Sequence, residues 1–287
     1  MWLSLFLTQK CNRACRYCDI GNIPFKNRKG FDSANFDDFI MQISENGFYE
    51  HIGFTGGEIG LLSKNILDHL FYHLYHKFIT VNTNGTFIRR HLDRYTHFVD
   101  QIIYHPIEDI SWPIKMKIKD DPRIIYQFPV HHYNLVYLEQ FLDDNCDLKI
   151  SLAPYDYKDI ASEGFSLTEE DVSRFVDIVS KFSNVVNIKN ILNLQSLSLK
   201  SVEGYRKLCA GNICLYPSID FVNGQIRKCV CSHTRASSVP LTSENLDMLF
   251  KGALTFSRSA LCDTCYHVLS YKDELLRKSI CQTVKKL

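Results

Sequence analysis

Three cysteines stand close together near the start of the chain, in the run Cys11-Asn12-Arg13-Ala14-Cys15-Arg16-Tyr17-Cys18. The C-x₃-C-x₂-C spacing lets three thiolates on one short loop converge on one metal centre. A structural zinc site is closed by four protein ligands, and no fourth ligand lies nearby in sequence. Three cysteines on a four-iron cluster would leave one iron open to a non-protein ligand, as a reactive site requires. A zinc knuckle completed by a distant His or Cys is the competing reading. Seven more cysteines, Cys209, Cys214, Cys229, Cys231, Cys262, Cys265 and Cys281, crowd the last third of the chain, and Cys146 stands alone. The total of 11 is odd and no export signal precedes it, so a secreted disulfide framework explains the cysteines poorly. Cys146 reads as a packing or loop residue.

The elements that must position this chemistry follow from periodicity. Short β-rich runs at Trp2–Leu7, His51–Thr55, Phe78–Thr83, Gln101–His105, Ile124–Phe128 and Leu148–Leu152 alternate with helical patterns at Phe36–Glu45, Ile66–His76, Tyr133–Leu142 and Thr168–Phe182. Phe36, Phe39, Ile40 and Ile43 show helical apolar spacing clearly. Six strands in βα alternation predict an α/β fold: a parallel sheet that curls into a partial TIM-like barrel, with chemistry on the loops at its C-terminal edge. The stretch from Ile107 to Arg123, with Pro113 and Pro122, reads as an irregular crossover. Beyond residue 183 the character changes. Phe221-Val222-Asn223-Gly224-Gln225-Ile226 reads as a hairpin turning at Asn-Gly, flanked by cysteines. The expected division is 1–183 for the barrel and 184–287 for a small metal-dependent module that buries little core unaided.

Charge excludes more than it suggests. With 33 Lys+Arg against 32 Asp+Glu, the formal charge of +1 carries no nucleic-acid footprint. The one basic cluster, Lys26-Asn27-Arg28-Lys29, reads as a solvated loop. No apolar run reaches the ~20 residues of a membrane span. Trp2 to Leu7 is too short and lacks the basic flank of a signal peptide. The expectation is a cytoplasmic protein without nucleic-acid or membrane partners. His73 with His76, and His131-His132, read as a helix face and a loop, although a histidine at a barrel end could touch substrate.

The N-terminal triplet after a first strand resembles the signature of the radical S-adenosylmethionine (SAM) enzymes. Tyr17 fits the aromatic residue that commonly precedes the last cysteine, near the adenine. Thr55-Gly56-Gly57-Glu58 resembles the family's G-G-E motif, which receives the SAM amino group; glycines admit close approach and an ammonium needs acceptors. Ile59 departs from the proline often found after the glutamate. Thr83-Asn84-Gly85 matches a region near SAM polar groups, and Ser151-Leu152-Ala153 matches, by position, a region contacting adenine. The resemblance spans residues 1 to about 155. It implies a [4Fe–4S] cluster that binds SAM and cleaves it reductively to a 5′-deoxyadenosyl radical, which abstracts hydrogen from substrate. It also implies a reductase partner such as flavodoxin or ferredoxin.

The C-terminal pattern Cys214-x₉-Gly224-x₄-Cys229, followed by Cys262-x₂-Cys265, resembles the SPASM and twitch modules that hold auxiliary [4Fe–4S] clusters. Those four cysteines would make one complete auxiliary cluster, with Cys209 as an alternative ligand. The positions for a second cluster hold Tyr271 and Leu275, so the arrangement is twitch-like. A structural zinc ribbon is the alternative. Enzymes with such modules resemble peptide maturases that crosslink or epimerise residues, or small-molecule dehydrogenases and cyclases in cofactor, sugar or antibiotic biosynthesis. The first strand begins at residue 2, leaving no N-terminal leader-recognition domain, which weighs against the peptide class without excluding it. Epimerisation needs a hydrogen donor, and Cys231, beside the hairpin, is the candidate.

Overall fold

The computed structural model describes residues 2–15, 18, 20–31, 36–106, 118, 120–154, 167–186, 217–227, 238–254 and 256. In chain order the first six strands are β1 (Trp2–Phe6), β2 (His51–Thr55), β3 (Phe78–Thr83), β4 (Gln101–Tyr104), β5 (Ile124–Val130) and β6 (Ile150–Pro154). The helices between and after them are α1 (Phe36–Glu45), α2 (Lys64–Leu74), α3 (Thr86–Arg90), α4 (Leu92–Tyr95), α5 (Leu138–Asp144) and α6 (Glu169–Val179). All six strands pair in parallel, and each lies beside its sequence neighbour. The predicted strands are all present, with ends shifted by up to two residues. The helix predicted over Ile66–His76 starts earlier because the Ser63 hydroxyl accepts from the Ile66 N–H and caps it. The helix predicted over Tyr133–Leu142 is a 3₁₀ turn, Leu135–Tyr137, running into α5. A reciprocal cap between Thr168 and Asp171 starts α6. The predicted irregular crossover falls largely outside the described residues.

Side chains alternate along a strand, and here the two faces of the sheet differ. Leu3, Leu5, Ile52, Phe54, Ile79, Val81, Ile102, Ile124, Phe128, Ile150 and Leu152 share the buried core with residues from the helices. Phe54 meets Phe71 of α2 at 5.4 Å between ring centroids, and Phe128 meets Phe141 of α5 at 4.4 Å. The other face is mixed and carries polar side chains: Ser4, Thr80 and Gln101 share one register row through Gly53, while Gln127 opposes Ser151.

The segment beyond residue 183 extends the same sheet. β7 (Ser218–Asp220) lies parallel to β1, with Ser4 opposite Ser218 and Phe6 opposite Asp220. β8 (Gln225–Arg227) and β9 (Ser238–Pro240) add antiparallel strands, and α7 (Ser243–Phe250) follows. The sheet order is β6-β5-β4-β3-β2-β1-β7-β8-β9. The predicted hairpin exists in a wider form. Phe221 and Val222, expected in the first strand, belong to the turn with Asn223 and Gly224, because the pairing ends at Asp220 and Gln225. Gly224 has φ +62°, which glycine adopts at little cost. Ile219, Phe221, Ile226, Leu246 and Leu249 join the core of the parallel strands.

Candidate active site

β1 ends at Phe6, and the chain then runs along the C-terminal edge of the sheet into the cysteine loop. A turn closes between Cys15 and Cys18, whose N–H donates to the Cys15 carbonyl at 3.1 Å. Gly21 backs this turn: a Cβ there would stand 2.0 Å from the Cys15 carbonyl oxygen. Cys11, Cys15 and Cys18 are all half-buried. Cys11 and Cys18 rest on a small apolar cluster of Phe6, Ile20 and Val222, so the turn of the C-terminal hairpin walls the loop. Three thiols with an apolar floor suit a [4Fe–4S] cluster, whose potential depends on burial and on hydrogen bonds to sulfur. The Asn84 amide points one such N–H at the Cys11 Sγ, 3.6 Å away. Among the described residues, no three Cys, His, Asp or Glu side chains are drawn around a single ion. Cys146 lies exposed in the turn after α5.

One residue of the supposedly solvated basic run turns inward. Lys26, Asn27 and Lys29 are exposed, whereas Arg28 is only 6% exposed. Its guanidinium donates to four carbonyls: Ile23 (2.9 Å), Cys11 (2.6 Å), Arg13 (2.7 Å) and Gly21 (3.3 Å). The solvated reading is therefore corrected at Arg28, because the carbonyls of the cysteine loop face it and need donors. Nothing in the local sequence separates Arg28 from the two lysines beside it.

The Gly-Gly-Glu turn at the end of β2 is stitched to the chain entering the cysteine loop. The Gly57 N–H donates to the Thr8 carbonyl at 2.5 Å, and the Glu58 N–H to that of Lys10 at 2.8 Å. Gly56 has φ +128°, and a Cβ there would lie 2.5 Å from the Thr8 oxygen; one on Gly57 would lie 2.3 Å from the Lys10 oxygen. Both glycines are thus required by backbone approach alone. Glu58 is fully buried. Its Oε1 accepts from the Gly60 N–H (2.8 Å), the Thr83 hydroxyl (2.8 Å) and the Phe87 N–H (3.1 Å), and its Oε2 from the Asn84 N–H (2.6 Å). The carboxylate therefore ties the end of β2 to the end of β3.

Asn84 links the two halves of the site. Its Nδ2 also donates to Asn12 Oδ1 at 2.8 Å, while its Oδ1 accepts from the Thr86 hydroxyl at 2.9 Å. Arg13 crosses to the end of β4 and donates to the His105 carbonyl at 2.8 Å. Asn12, Arg13 and His105 went unmarked in the sequence, since no motif spacing joins residues 12 and 105. Ser151 is half-buried on the mixed face of the sheet, whereas the Leu152 side chain is fully buried on the helix-covered face. Tyr17, Cys209, Cys214, Cys229, Cys231, Cys262, Cys265 and Cys281 lie outside the described residues.

His105 yields a pH prediction. Burial, followed by repulsion from the Arg13 guanidinium, pushes its pKa from 6.5 down to about 4. A depressed histidine leaves the unfolded chain binding the extra proton. The stability it contributes is thus fully present above about pH 6.5 and is lost as pH falls through about 4. At ~1.4 kcal/mol per pKa unit, up to about 3 kcal/mol is at stake. Urea unfolding at pH 7 and pH 5 should show the loss, and His105→Gln should flatten it; equal slopes in both proteins would refute the assignment.

Against known families, residues 5–125 match the sequence profile of the Radical SAM superfamily. That segment holds the cysteine triplet, the Gly-Gly-Glu turn, Asn84 and His105. The chain thus carries a radical SAM domain and is an enzyme that uses a [4Fe–4S] cluster and SAM. No curated protein sequence matches the chain significantly. Among solved structures, "Native anSMEcpe with bound AdoMet and Cp18Cys peptide" aligns with a TM-score of 0.53 and 13% identity, over 99% of this chain and 98% of that one. Streptococcus suis SuiB bound to S-adenosylmethionine aligns with a TM-score of 0.57 and 14% identity, over 94% of this chain and 71% of that one. At such identities the likeness is one of fold.

Proposed function

We propose that this enzyme modifies a ribosomally made peptide, by epimerisation or crosslinking. The observation that carries the reading is the fold similarity to anSMEcpe, which runs nearly the whole length of both chains and includes a peptide-bound form. When bound, the reduced cluster supplies the electron that splits SAM into methionine and the 5′-deoxyadenosyl radical. Cys11, Cys15 and Cys18 hold that cluster; Phe6, Ile20 and Val222 keep water from two of the thiolates. Gly56, Gly57, Thr83, Asn84, Tyr17 and Ser151 line the SAM site in this reading. Leu152 contributes through its backbone, since its side chain belongs to the core. Glu58 serves chiefly as the frame of that site.

The six parallel strands are read as a partial (β/α)₆ barrel. Right-handed crossovers stepping always to one side place the helices on one face, which leaves the row of Ser4, Thr80 and Gln101 and the separate pair Gln127 and Ser151 facing its lumen. Residues 184–287 are read as a twitch-like module whose Cys214, Cys229, Cys262 and Cys265, with Cys209 as alternative, hold one auxiliary [4Fe–4S] cluster. Crosslinking needs the product radical to lose an electron, which that cluster could accept. Epimerisation needs a hydrogen atom returned, and Cys231 is the candidate donor. A flavodoxin or ferredoxin in the cytoplasm is the proposed electron source.

Anaerobic reconstitution with SAM and dithionite should yield 5′-deoxyadenosine, and Cys11→Ala should reduce it to the level without protein. Incubation in D₂O with a short precursor peptide encoded nearby then separates the outcomes. Epimerisation adds one deuterium at the modified residue, and crosslinking removes two hydrogens. In Cys231→Ala, deoxyadenosine should persist while deuterium uptake stops. Turnover of a small polar metabolite, with every neighbouring peptide inert, overturns the peptide reading in favour of a small-molecule dehydrogenase or cyclase.

A further inference from the structure

We propose that Arg28 is a positioning residue for the SAM-binding cluster, acting in two ways: it ties the cysteine loop into one turn, and its buried charge favours the reduced cluster. The geometry begins with its four carbonyl acceptors. Cys11, Arg13, Gly21 and Ile23 span the loop from the first thiol residue to beyond the last, so one rigid guanidinium fork fixes both ends. A lysine, with one ammonium on a flexible stem, cannot reach the same spread of acceptors. The fork is itself held, since its carbon lies 4.0 Å from the centroid of the Phe25 ring. It is also enclosed, at 6% exposure.

The electrostatic half rests on what is missing around it. Among the described residues no carboxylate pairs with Arg28, whereas the buried Arg227 is matched by Asp220 at 2.6 Å. Burying a cation without a counter-ion is unfavourable, and the carbonyl dipoles offset only part of that cost. Three thiolates and an iron–sulfur core carry net negative charge, which becomes more negative by one unit on reduction. A fixed, dry positive charge against the loop backbone therefore stabilises the reduced state more than the oxidised one, and net charge near a cluster is among the factors that set its potential. The electron itself comes from an external low-potential donor, dithionite in the test below.

The inference depends on the N-terminal cluster and not on the substrate, so its test uses none. Arg28→Lys keeps the charge and loses the fork, while Arg28→Gln loses both. After anaerobic reconstitution, each protein is challenged with an iron chelator, and its midpoint potential is read by EPR-monitored titration with dithionite. Arg28→Lys should release iron at least tenfold faster than wild type while holding its potential. Arg28→Gln should release iron as fast and also shift the one-electron equilibrium about tenfold toward the oxidised state, or 59 mV. Wild-type release rates in Arg28→Lys overturn the positioning role. An unchanged potential in Arg28→Gln overturns the electrostatic one. Should Arg28→Gln fail to fold, Arg28→Met with Arg28→Lys as charged control reads the same potential difference.

Discussion

Glu58→Ala should unfold the radical SAM domain under conditions where the native protein is stable, before any question of SAM binding arises. Four buried donors converge on this carboxylate: the N–H groups of Gly60, Asn84 and Phe87 and the hydroxyl of Thr83. Each buried donor left without an acceptor costs roughly 1–3 kcal/mol. The Phe87 N–H keeps the Thr83 hydroxyl as an acceptor at 3.3 Å, so three stranded donors put the expected loss at about 3 kcal/mol or more, against total stabilities of roughly 5–15 kcal/mol for a domain. Glu58→Gln preserves the shape but turns an amide NH₂ toward one of these N–H donors, and about 2 kcal/mol should be lost. Urea unfolding followed by circular dichroism checks both. The contrary result is informative. If Glu58→Gln keeps the native unfolding midpoint and weakens SAM binding tenfold, the carboxylate serves the ligand's ammonium directly.

The second large effect is expected at the hairpin beside β1. Asp220 is fully buried, with Oδ2 bonded to Arg227 Nε (3.0 Å), Arg227 Nη2 (2.6 Å) and Asn223 Nδ2 (2.9 Å). Its Oδ1 accepts from the N–H groups of Val222 and Asn223, both at 3.0 Å. One carboxylate thus shapes the turn that presses Val222 toward Cys11 and Cys18. Arg227→Met leaves that charge buried and uncompensated, and breaking such a pair costs about 3–5 kcal/mol. The loss should be local to β7 and β8 as well as global. Cluster absorbance should bleach faster in air than in the native protein, because the apolar floor under two thiolates loosens. A variant with the native urea midpoint and the native bleaching rate would remove the hairpin from the cluster's protection.

These two clusters are built from contacts that no local stretch of sequence specifies. The strands of the sheet were legible because apolar alternation and βα spacing are local properties that burial on one face imposes. The cysteine triplet was legible because three soft ligands must sit within one loop's reach of each other. Glu58 was found by its motif, yet its motif gives no view of the donors at residues 60, 83, 84 and 87 that surround it. Arg28 turns inward for a related reason: a four-residue basic run has no periodicity, so the side that faces a neighbouring loop is set by that loop. The hairpin is legible locally as Phe221–Ile226, but its turn is two residues wider than Asn-Gly alone, and its pairing with β1 across more than two hundred residues leaves no mark in either segment.

The sequence by itself determined the chemistry available and the parallel α/β frame, since ligand type, loop spacing and side-chain period act within a few residues. The tertiary structure decided which groups are enclosed together. It brought Val222 against the cysteine loop, set Arg28 inward and drew four donors onto Glu58. Those outcomes depend on burial and hydrogen-bond satisfaction between segments distant in the chain, and a buried polar group acquires its role only from the partners that folding places around it.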